Sequence, residues 1–280
     1  MTDNEKYPIG VFDSGYGGLT ILDAIRRRLP AYSYLYLGDN ARAPYGVRSF
    51  DEIYRFTLEA VRFLFGKGCR LIILACNTAS AKALRTIQQN DLPKIDPTRR
   101  VLGVIRPTVE QIGGLTRDGR IGLFATPGTV TSGSYDIEIG KLYPEFRLYS
   151  HACPSWVEIV EAGKADSIIA EMAVKNDVDA LFAVEPSIDT IILGCTHYPL
   201  LLDKVEKCVA GRAKVVTQGQ LVAESLADYL RRHPEIESRC LKGSEAEFLT
   251  TGAVVHFDQN ASLFLGHPVS ATKVNITPCD

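Results

Sequence analysis

Short runs that are apolar at nearly every position alternate along the chain with longer stretches in which apolar residues recur every three or four positions. The runs are PIGVF, YSYLYLG, CRLIILA, RVLGVI, GRIGLFA, FRLYS, IDTIILG and AKVVT. Their length and continuity predict strands covered on both faces. The stretches LTILDAIRRRL, FDEIYRFTLEAVRFLFG, TASAKALRTIQ, TVEQIGGL, VTSGSYDIEIGKL, PLLLDKVEKCV and LVAESLADYLRRH keep a helical period. Strand and helix in turn predict an α/β protein built on mainly parallel sheets. Ligands of such sheets bind beyond the carboxyl ends of the strands, so the residues after each apolar run carry the functional question.

A weak internal repeat refines this picture. IGVFDSGYGG (9–18) resembles IGLFATPGTV (121–130), and LIILACNTAS (71–80) resembles TIILGCTHYP (190–199). Two related α/β halves follow, each presenting one cysteine at a strand end. The Pro- and charge-rich NDLPKIDPTRR reads as the end of the first half. The expected division is residues 1–99 plus 211–280 in a first domain, with the C-terminal tail packed back on it, and 100–210 in a second. The site would lie in the cleft between them.

Composition narrows the function classes. The 280 residues are 46% hydrophobic and 23% charged, with a net charge of −2. That is ordinary for a globular protein and offers no field to draw in nucleic acid or an anionic membrane. No apolar run approaches the ~20 residues of a membrane span. The opening MTDNEKYPIG is polar and acidic, unlike a signal peptide. The seven cysteines (69, 76, 153, 195, 208, 240 and 279) are odd in number and form no CxxC pair. Reduced thiols and a cytoplasmic location are therefore expected.

Cys76 and Cys195 stand apart from the other five. Each follows an apolar strand and precedes a helix start, with Asn77 or Thr78 available to cap the first helix and Thr196 the second. The positive end of a helix would lower a thiol pKa. Two thiols across one cleft suit proton removal from one face of a carbon and delivery to the other. Nucleophilic thiol chemistry and a metal held by Cys76, Cys195 and His197 stay open, although that set lacks close pairs and a fourth ligand. Cys69, Cys208, Cys240 and Cys279 read as structural, and Cys153 is undecided.

Other stretches fill in the strand ends. In DSGYGGLT (13–20) the glycines let an anion approach backbone N–H groups, while Asp13 can hold an amino group and Ser14 a substrate oxygen. GDNARAPYGVRS (38–49) could present the Tyr45 hydroxyl and a backbone N–H around Pro44, Tyr45 and Gly46. Thr126 and Thr129 sit where they can cap a helix or bind a carboxylate. His197 could tune Cys195. Glu161, in PSWVEIVEAG, reads from its surroundings as a solvated helix residue.

Taken in order, DSGYGGL, GDNARAPYG, ACNTAS, ATPGTVTSGSY, ACPSWVEIVEAG and GCTHYPLL resemble the motifs of the glutamate racemases, from about residue 8 to the FLTTG segment near 250. The resemblance implies a cofactor-independent racemase of L- and D-glutamate that needs no metal and supplies D-glutamate for peptidoglycan. It implies two pseudo-symmetric α/β domains with the active site between them, and a homodimer. It assigns acid–base roles to Cys76 and Cys195, and support of the thiols to Asp13, Glu161 and His197. Substrate contacts carry over to Asp13, Ser14, Pro44, Tyr45, Gly46, Asn77, Thr78, Thr126, Thr129, Thr196 and His197. GVIRPTVE (103–110) and VVTQGQLVAESL (215–226) depart from the family's usual GVIEPG and Asp-Ser-Gly patterns. An aspartate racemase would share both cysteines. A two-lobed amino-acid-binding protein and a metal hydrolase are more distant alternatives.

Overall fold

The computed structural model describes residues 5–278. The strands are β1 (Ile9–Asp13), β2 (Tyr34–Gly38), β3 (Leu71–Leu74), β4 (Arg100–Gly103), β5 (Arg120–Ala125), β6 (Arg147–Ala152), β7 (Thr190–Gly194), β8 (Lys214–Val216), β9 (Ala246–Thr250) and β10 (Ala271–Lys273). They form a six-stranded sheet in the order β10-β9-β2-β1-β3-β4 and a four-stranded sheet in the order β6-β5-β7-β8. Every pairing of these strands is parallel.

The order β2-β1-β3-β4 recurs as β6-β5-β7-β8, so the molecule is two pseudo-symmetric α/β halves. The repeated stretches occupy equivalent strands. Those opening on IGVF and IGLF supply β1 and β5, and the two that end in cysteine supply β3 and β7. Side chains along β1 and β3 alternate between the sheet's two faces, as a period of two requires. Val11 and Ile73 pack with Leu22, Ile25 and Leu226 on one face. Phe12 and Leu74 pack with Val61 and Leu64 on the other. Truncating Leu74 to Ala would cost about 2–5 kcal/mol, because a well-packed interior does not collapse around the void.

The strand pairings shift the expected domain boundaries. Arg100–Gly103, assigned to the second domain, pairs with β3 in the first sheet, and Lys214–Val216, assigned to the first, pairs with β7 in the second. In the charged stretch before β4, Asp96 binds Arg70 and Arg99 and ties that crossover to the first domain. The tail contributes β9 and β10, which extend the first sheet beyond β2. A helix at Ile168–Val184 has no counterpart in the periodicity of the sequence. Ile168, Ile169, Met172 and Val184 are exposed while Val174, Val178 and Leu181 are buried, so its apolar residues lie all round and blur the stripe. Among the described residues no helix is long and apolar enough to cross a membrane.

Candidate active site

Cys76 follows β3 and is itself the cap of helix Asn77–Lys82: its Sγ accepts the Ala79 N–H at 3.4 Å. Asn77 and Thr78, expected as caps, lie inside the first turn and are buried. Ser14 Oγ lies 3.4 Å from the same sulfur. The expectation of a depressed thiol pKa fails here. Burial, and next the neighbouring Asp13 charge, push Cys76 up to about 12, against the weaker pull of Ser14 and the Ala79 N–H. Charge on Cys195 acts in the same direction.

Asp13 ends β1 and is fully buried. It accepts the Gly15 N–H at 2.9 Å and the Thr196 hydroxyl at 3.4 Å, so one carboxylate bridges the halves. Burial raises its pKa, and the His197 cation opposes that rise.

On the other side Cys195 follows β7. Its Sγ lies 3.9 Å from His197 Nδ1, and His197 Nε2 lies 2.9 Å from Glu161 Oε1. Glu161 closes the helix Trp156–Glu161, which is anchored by the buried Trp156 through its Nε1–H to Asp177 at 2.6 Å. The solvated role read for Glu161 from its surroundings is thus replaced by a hydrogen bond to a buried ring. Burial disfavours a charged His197, but the bonds to Cys195 and Glu161 outweigh it and carry its pKa up to about 10. Both bonds favour the imidazolium form. Thr196 caps nothing, and the short 3₁₀ turn Tyr198–Leu201 has no side-chain cap.

Three buried threonine hydroxyls form a floor. Thr78 Oγ1 lies 3.0 Å from Thr126 Oγ1 and 3.3 Å from Thr129 Oγ1, and the latter two are 3.1 Å apart. Thr126 also caps the helix Pro127–Thr131 by accepting the Thr129 N–H. Gly46 abuts this floor: a Cβ on Gly46 would stand 3.0 Å from Thr126 Cβ, and one on Gly128 would stand 2.8 Å from the Gly46 carbonyl. The loop holding Pro44 and Gly46 is fixed from below. Tyr45 is buried and its hydroxyl donates to Asp39 at 2.5 Å, so it is not offered to a ligand as expected. Asp39 also takes Arg42 at 2.7 Å and Thr251 at 2.8 Å, and Arg42 pairs with Glu59. Asp39, Tyr135 and Gln218 went unmarked in the sequence, where a lone buried polar residue leaves no periodic signal.

The remaining described cysteines have other surroundings. Cys69 and Cys240 are buried, and burial pushes each thiol up to about 12. Cys153, undecided in the sequence, is fully buried beside His151 and Asp177, three groups whose donor atoms lie within 4.8 Å of one another. There Asp177 already accepts the Trp156 N–H at 2.6 Å and lies 2.8 Å from His151 Nε2. Cys279 falls outside the described residues.

Two thiols, one with a carboxylate and a hydroxyl and one with an imidazole–carboxylate pair, end equivalent strands of the two sheets, and a cluster of buried hydroxyls follows β3 and β5. Such a site can exchange protons with a bound anion. Residues 9–226 match the family model described as Asp/Glu/hydantoin racemase. A glutamate racemase of Dinoroseobacter shibae is 44% identical over 276 residues, covering 95% of this chain and 98% of its own. The crystal structure of a Bacillus anthracis glutamate racemase isoform superposes with a TM-score of 0.88 at 34% identity, covering 97% of this chain and 99% of its own. That of the Francisella tularensis enzyme, in complex with D-glutamate, gives 0.85 at 32% identity, with 98% of each chain covered.

Proposed function

The chain belongs to the Asp/Glu/hydantoin racemase family, and from that premise we propose that it interconverts L- and D-glutamate by proton transfer between Cys76 and Cys195. The observation that carries the reading is the pair of cysteines at the ends of β3 and β7, equivalent strands of two like-ordered sheets. Nothing in packing requires a thiol at both places.

Toward L-glutamate Cys195, whose sulfur lies 3.9 Å from His197 Nδ1, is the base, and Cys76, whose thiol burial pushes up, is the acid. L-glutamate binds with its α-carboxylate on Ser14, Asn77 and Thr78 and its side-chain carboxylate near Gly46, Thr126 and Thr129. Asp13 and Thr196 orient the ammonium group. Cys195 removes the Cα proton. The electron pair spreads into the α-carboxylate, where the donors already present stabilise it best because little water is left to compete. Cys76 delivers its proton to the opposite face, which leaves D-glutamate, a Cys195 thiol and a Cys76 thiolate. D-glutamate reverses every step. The high proton affinity of Cys76 suits a group that must hold its proton until the carbanion forms. The product D-enantiomer fits a role in peptidoglycan synthesis.

The test is L-glutamate or L-aspartate in deuterated water, with Cα deuteration followed by NMR. Wild type should deuterate glutamate and leave aspartate unchanged. C76S and C195S should each lose racemisation by orders of magnitude, because a serine hydroxyl is a far weaker acid than a thiol. Near-normal turnover in either variant sinks the two-cysteine mechanism, and preference for aspartate sinks the substrate.

A further inference from the structure

Asn77, beside Cys76, does not stand alone. Its amide belongs to a closed ring of buried side chains from both halves. Tyr135 Oη donates to Asn77 Oδ1 at 2.8 Å, Asn77 Nδ2 donates to Gln218 Oε1 at 2.6 Å, and Gln218 Nε2 donates to Tyr135 Oη at 2.9 Å. Gln218 Nε2 also donates to Thr108 Oγ1 at 2.9 Å, and Thr108 donates to the Val104 carbonyl at 2.8 Å. All four side chains are nearly inaccessible, with exposures of 3% for Asn77, 1% for Tyr135, 2% for Gln218 and 0% for Thr108.

The direction of every bond in this ring follows from one fixed group. A backbone carbonyl can only accept, so the Thr108 proton points to Val104. Thr108 oxygen must then accept from Gln218, which sets Nε2 toward it and leaves Oε1 facing Asn77. The second Nε2 proton goes to the Tyr135 oxygen at 2.9 Å rather than to the Val104 carbonyl at 3.5 Å, so the single Tyr135 proton goes to Asn77 Oδ1. The Asn77 amide is thereby held in one of its two orientations. Nδ2 spends one proton on Gln218 and keeps its second, which no group in the ring accepts. Ring bonds that donate in sequence polarise one another and stiffen the whole.

We propose that Gln218 is a positioning residue of the reaction: it orients the Asn77 amide so that its free N–H faces the substrate carboxylate. This rests on the reading of Asn77 as a carboxylate ligand. Gln218 opens the helix Gln218–Arg232 after β8 in the second sheet, whereas Asn77 follows β3 in the first. The ring thus sets the carboxylate contact and the approach of the two halves together. Methionine at 218 would keep the length and remove every donor and acceptor. Glutamate would keep the size but could only accept, which takes the Tyr135 proton away from Asn77 and frees the amide to turn.

The experiment is a double-mutant cycle on full-length protein, with Q218M, N77A and the double variant assayed on glutamate for kcat and KM and unfolded in urea. Q218E is a second arm should Q218M fail to fold. N77A and Q218M should each lower kcat/KM by about tenfold or more, while Q218M added to N77A lowers it by less than about threefold, because a residue that acts through Asn77 has nothing left to position. Part of the loss of urea resistance caused by Q218M should persist in the N77A background, where Gln218 still bonds Thr108 and Tyr135, which separates positioning from packing. Multiplicative losses in kcat/KM, or a Q218M and a Q218E of wild-type activity, overturn the proposal. An N77A enzyme of wild-type activity overturns instead the carboxylate role of Asn77, and a wild type inert toward glutamate overturns the function itself.

Discussion

Gly17→Ala is the sharpest single perturbation of the domain contact. Gly17 precedes the helix Gly18–Arg28, with φ −58° and ψ −34°, a conformation any residue adopts. Space alone demands glycine there. A Cβ would stand 2.3 Å from Thr196 Oγ1 and 2.5 Å from His197 Nδ1, against ordinary contacts of 3.4–4 Å. Both neighbours follow β7 in the second half, and His197 Nδ1 is the atom facing the Cys195 sulfur. The methyl must displace that loop by about 1 Å, and a misplacement of about 1 Å in a catalytic group costs on the order of a hundredfold in rate. Overpacking should cost about 1–3 kcal/mol of stability as well. The assay is the circular dichroism of L-glutamate during racemisation, with thermal unfolding alongside. Gly140→Ala is the control: it lies inside the helix Ser134–Leu142 with nothing within 4 Å of its Cβ, so turnover should hold and stability should rise by about 0.5–1 kcal/mol. A folded Gly17→Ala enzyme with turnover within about twofold of wild type would refute the argument.

Further outcomes follow from the charges. Glu161→Gln removes a group that raises His197, so the imidazolium is lost at lower pH and the alkaline limb of kcat/KM should move down by about a unit or more; an unmoved limb contradicts the role given to the pair. Because the folded pKa of His197 lies above the ~6.5 of an unfolded histidine, the stability it contributes is complete below about 6.5 and lost as pH rises through about 10. Glu161→Gln should flatten that dependence in urea titrations. Asp189 accepts Thr116 Oγ1 at 2.6 Å and the Arg117 and Asp118 N–H groups at 2.8 and 2.6 Å, and despite its burial these bonds hold its pKa below the usual range. Asp189→Ala should cost about 2–4 kcal/mol in urea unfolding, and should abolish a contribution that wild type holds above about pH 4 and loses below it. Iodoacetamide at pH 8 should label Cys76 slowly, because its thiol holds its proton up to about 12; rapid labelling of Cys76 in peptide mass maps would contradict the acid role given to it above.

Much of the frame was written in local pattern. Continuous apolar runs split by helical periods require parallel strands buried on both faces, and LIILAC and TIILGC mark equivalent strands because each ends in the same residue at the same place. Those features depend on neighbours in sequence, so the sequence by itself determined them. The helix at Ile168–Val184 escaped because its apolar residues also face solvent, and the edge strands β4 and β8 changed sheets because pairing is chosen by partners distant in sequence. The chemistry at the strand ends was decided only by the tertiary structure. Whether a thiol is held protonated depends on burial and on carboxylates brought from other strands, which is why Cys76 is raised where its helix start alone would lower it. Glu161 gained its partner when a short helix packed against the loop after β7. Tyr45 turned inward to Asp39, and Asn77 was fixed by Gln218, 141 positions away. A sequence can place reactive groups at the ends of strands, but the proton affinity and the direction of each hydrogen bond belong to the surroundings that folding assembles.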